Sequence, residues 1–66
     1  MPAALQTALQ QWLAGRYRDV VAVGTSGLQG KALAHLHLLR ASAYFAQSEI
    51  DPANAAVLRA SAAQEV

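Results

Sequence analysis

His35 and His37 are the side chains best equipped for chemistry in this chain. A helix sets residues two apart about 200° from each other, so the pair cannot share one metal ion. The helical zinc-protease pattern needs histidines four apart with a glutamate between them, and that pattern is absent. The histidines read instead as one on each polar flank of a long helix. Ser26, Ser42, Ser48 and Ser61 could in principle supply a nucleophile, but none sits in the strained Gly-x-Ser-x-Gly elbow that activates one. Asp19, Glu49, Asp51 and Glu65 form no catalytic pair; Asp51 reads as a helix cap and Asp19 as a first-turn acid. No catalytic, cofactor-binding or metal site is expected, and the chain is read as a non-enzyme.

"GTSGLQG", residues 24–30, followed by Lys31, could suggest a phosphate-cradling loop. That loop needs four residues between its first glycine and a Gly-Lys-Ser/Thr end, after a strand. Here five residues separate Gly24 from Gly30, Ala32 follows Lys31, and nothing upstream reads as a strand. The segment is a connecting loop.

Composition fixes the scale of what must position these residues. Sixty-six residues make one domain, and so short a chain buries only about 60% of its unfolded surface. There is no cysteine to staple it. Sixteen of the apolar residues are alanine, so large apolar side chains are few and helices can approach closely. Net charge is +1, with Arg16, Arg18, Lys31, Arg40 and Arg59 scattered, which offers no footprint for nucleic acid. No apolar run approaches the roughly 18 residues of a membrane span. "MPAALQTALQ" lacks the basic start of a secretory signal, which favours a cytoplasmic setting.

Periodicity places four helices. Leu5, Leu9, Trp12 and Leu13 share a stripe over residues 3–14, with Pro2 suited to the first turn. Gly15 then offers a left-handed stop. Tyr17, Val20, Val21 and Gly24 repeat at helical spacing, predicting a short second helix over 17–23 that folds back on the first. Residues 31–49 form the longest helix. Leu36, Leu39, Ala43, Ala46 and Ile50 share one stripe; Ala34, Leu38, Ala41 and Phe45 share another, with Lys31, His35, Ser42 and Glu49 as a polar strip between. Such a helix is covered on two sides, or keeps one face for a partner. Asp51 as cap and Pro52 as first residue open a helix over 52–65. No stop signal follows at Gln64-Glu65-Val66, so the chain is expected to continue within a longer protein.

"LAGRYRDVV" resembles the turn between the paired helices of a tetratricopeptide repeat, where Gly-x-Tyr-x-acid-Ala follows the first helix. Gly15, Tyr17, Asp19 and Val20 match in order, with valine in place of alanine. "SEIDPANAA" resembles the repeat's end, through Ile50, Asp51, Pro52 and Asn54. Gly15 and Pro52 lie 37 residues apart, where one repeat of about 34 would set them half as far. The likeness is therefore to a degenerate hairpin array. It implies an all-α fold of three to four antiparallel helices in a right-handed array, spanning residues 1–66, that binds other proteins or peptides. Trp12, Gly15, Tyr17, Val20, Asp51 and Pro52 would be its structural hairpin residues. The expected recognition surface is the remaining polar flank of the long helix: His37, Arg40, Tyr44 and Gln47. Partners would be another protein or peptide, or a second copy; neither nucleic acid nor membrane is expected. The alternative is a small helical regulatory or nucleic-acid-binding domain, for which "GTSGLQG" is too long to serve as the 3–4-residue turn of a helix-turn-helix.

Overall fold

The first turn of the chain shows how its helices are delimited. In the computed structural model, which describes residues 1–65, α1 spans Ala3–Leu13 and ends in a Schellman motif at Gly15. Gly15 has φ +76, its N–H donates to the Trp12 carbonyl at 3.1 Å, and Arg16 N–H donates to Gln11 carbonyl at 2.9 Å. Only a residue without Cβ takes that conformation cheaply. α2, Tyr17–Val21, starts at once, its first N–H groups bonded to the Arg16 carbonyl. It stops two residues short of the expected end, because the chain turns off to the Thr25–Leu28 turn. That turn has Gly27 at φ +79 and delivers Leu28 into the core.

α3 spans Gly30–Ile50, and α4 spans Ala55–Gln64. Between them lies a single 3-10 turn, Pro52–Asn54, so the last helix begins later than its proline suggested. Asp51 does not act as the expected side-chain cap: its carboxylate accepts instead from the Asn54 side-chain amide at 2.9 Å. The fold is all-helical, with four α-helices among the described residues.

α3 is central. α1 and α2 pack on one side of it and α4 on another, and among the described residues α1 and α4 do not touch. The main core joins Leu5 and Ala8 of α1, Val20 of α2, Leu28 of the loop, and Leu36, Leu39 and Ala43 of α3, with Trp12 and Tyr17 packed against it. The seam with α4 is made of small residues: Ala41 and Ser48 are buried on α3 and Ala62 on α4. Small side chains there allow close approach but contribute little apolar area. The molecule measures 35 × 23 × 14 Å, and α1, α2 and α3 pack against one another pairwise.

α3 was expected to bury two apolar stripes. Leu36, Leu39 and Ala43 are buried as expected, but Ile50 is exposed. Of the second stripe only Ala41 is buried, while Ala34, Leu38 and Phe45 face solvent. The reason is angular. α4 lies against the side carrying His37, Ala41 and Ser48, not against the Leu38–Phe45 side.

Candidate functional site

The flank His37–Arg40–Tyr44–Gln47 lies in the angle of α3 between its two neighbours, and all four side chains are half-buried. Arg40 occupies the closed end of that angle. Its Nη1 donates to the Val23 carbonyl at 2.9 Å, just past α2. Its Nε pairs with Glu65 Oε1 at the end of α4, approaching from off the N–H direction, so the contact is charge on charge. One guanidinium thus ties the loop after α2, the middle of α3 and the end of α4. His37 Nδ1 stands 3.6 Å from the same carboxylate oxygen, beyond hydrogen-bond reach. The Arg40 side chain is 20% exposed and Glu65 11%, so the pair is shielded but not sealed.

At the other end the angle opens into a groove of about 690 Å³, bounded by the Gly15–Asp19 turn on one bank and by the α3–α4 connection on the other. Its apolar lining comes from Tyr17, Ile50, Val57 and Leu58; Arg16, Arg18, Asp19 and Asp51 line its edge. Gln47 also lines the groove, and its Oε1 is buried with no hydrogen-bond partner.

Val20 is fully buried, and Trp12 meets Tyr17 edge to face with centroids 6.5 Å apart. Trp12 Nε1 is buried without a partner. Pro52 opens the 3-10 turn. His35 is exposed on the outer face of α3, well away from His37. Two serines spend their hydroxyls on local carbonyls: Ser48 on Phe45 at 2.6 Å and Ser61 on Val57 at 3.0 Å. Among the described residues no three His, Asp or Glu side chains cluster as metal ligands do, and no helix is long and apolar enough to cross a membrane.

Sequence reasoning placed Arg40 and Gln47 in the site but missed Glu65 and the Val23 carbonyl, which lie far along the chain from Arg40. It also missed the groove bank of Ile50, Val57 and Leu58. The one available signal was that these three are apolar residues flanking Asp51-Pro52. Compared with protein-family models, with curated proteins and with solved structures, the chain matches none.

Proposed function

We propose that this chain is a non-catalytic protein-interaction or assembly module, built as a tetratricopeptide-like array of antiparallel helical hairpins. One observation carries this reading: the apolar surface left uncovered. Among the described residues only Leu36 and Val20 of the large side chains are fully buried, whereas Leu13, Leu38, Phe45, Ile50 and Val57 are more than half exposed. A helical hairpin that leaves apolar side chains open is completed by a neighbour, and apolar patches mark sites of association. The groove adds a place for an apolar peptide side chain. The Gly15–Tyr17 turn and the Asp51-Pro52 junction support the hairpin likeness.

Panning a displayed peptide library against the folded chain tests the module reading, alongside sedimentation for self-association. Peptides with an apolar anchor are expected, and Ile50→Asp/Val57→Asp should abolish their binding. The absence of both peptide enrichment and self-association would contradict the reading. Tight binding of a DNA duplex at low salt would favour the regulatory alternative instead.

A further inference from the structure

The outer face of α3 carries two exposed apolar side chains, Leu38 and Phe45, between charged ends. Lys31, His35, Leu38, Ser42, Phe45 and Glu49 succeed one another at alternating steps of four and three residues. They lie within an arc of about 80° on the helix surface. All are exposed except Ser42, which is half-buried; Leu38 is 59% exposed and Phe45 51%. Leu38 and Phe45 stand seven residues apart on this face, so one packed helix could cover both. On the stripe's open flanks Ala34 and Ala46 are small, while Ala41 and Ser48 are already covered by α4.

The charges identify the occupant. Lys31 sits in the first turn of α3 and Glu49 in the last, and the helix has no acid in its first turn and no base in its last. Both charges therefore oppose the helix's own dipole and weaken the isolated helix. Turning a second α3 end for end removes the conflict. The geometry points to an isologous homodimer in which two α3 outer faces pack antiparallel about a twofold axis at the level of residue 40. In that register Lys31 meets the partner's Glu49, His35 meets the partner's Phe45, and Leu38 meets the partner's Ser42, each twice by symmetry. Opposite charges face at both ends, a ring faces a ring, and a large side chain faces a small one. This deepens the assembly reading above and rests on it.

Charge reversal at these exposed positions tests the register without touching the core. K31E and E49K each place like charges together twice, and each should weaken the dimer about tenfold, read by sedimentation equilibrium at low salt. K31E should meanwhile leave the helix as stable or more so by far-UV circular dichroism, since an acid suits its first turn. The double reversal K31E/E49K should restore wild-type affinity. An equimolar mixture of the two single variants should also associate like wild type, because each supplies the charges the other needs. L38E/F45E should be a helical monomer. A monomeric wild type, single reversals as tight as wild type, or a double reversal without rescue would overturn the dimer. A monomer that still captures peptides in the groove overturns the dimer while leaving the module reading standing.

Discussion

Replacing Arg40 by methionine removes the guanidinium but keeps most of the buried stem. Two interactions go. The first is the charge-assisted bond from Nη1 to the Val23 carbonyl, worth about 1.5–3 kcal/mol where well shielded. The second is the partner of Glu65, whose side chain is 11% exposed and would be left as an uncompensated carboxylate. Breaking a fully buried pair costs about 3–5 kcal/mol, and the 20% exposure of Arg40 lets water relieve part of that. Together a loss of about 2–4 kcal/mol is expected. A chain this size has only about 3–10 kcal/mol in total. With a urea dependence near 1 kcal/mol per molar, the midpoint should fall by about 2–4 M, followed by far-UV circular dichroism at a dilution where association contributes nothing. Glu65→Gln should cost less, about 1 kcal/mol, because Arg40 keeps Val23 and some water. A double-mutant cycle should return a coupling above about 0.5 kcal/mol. An Arg40→Met variant within about 0.5 kcal/mol of wild type would refute the idea that this one side chain ties α2, α3 and α4 together.

Other perturbations follow from the same geometry. Gly15→Ala meets no atom within 4 Å, so its cost is the left-handed backbone alone, about 1–2 kcal/mol by urea unfolding; Gly24→Ala, free of both strain and crowding, should be neutral or slightly stabilising. Leu36→Ala, at a fully buried site in a small core, should cost about 2–5 kcal/mol and leave the chain largely unfolded at room temperature by circular dichroism. Tyr17→Ala removes the edge-to-face partner of Trp12, which should lower stability by at least about 1 kcal/mol and shift the tryptophan emission; an unchanged spectrum would contradict the packed hairpin.

What could be read along the chain was what is local. The Gly15 stop, the start of α2 at Tyr17 and the long α3 follow from residues within a turn or two of each other. The Asp51-Pro52 junction was placed correctly, but its detail was not, because Asn54 competes for the Asp51 carboxylate. The flank His37–Arg40–Tyr44–Gln47 was picked out as polar residues on one side of α3. Its surroundings were not legible, since Arg40 reaches the Val23 carbonyl across 17 residues and Glu65 across the 3-10 turn and α4. Apolar stripes suggested that Leu38 and Phe45 would be covered. Instead α4, itself mostly alanine, settled where Ala41 and Ser48 allow closest approach. Alanine marks a helix strongly but says little about which face it buries, and that is why the packing of α4 escaped prediction.

We propose that the apolar surface left uncovered in this fold is used for association, with a second copy on α3. Sedimentation equilibrium of the wild-type chain from about 1 μM to 1 mM tests it most directly. Self-association predicts a mass rising from 6.9 kDa toward twice that value, with helicity maintained. A constant 6.9 kDa across the whole range would contradict it.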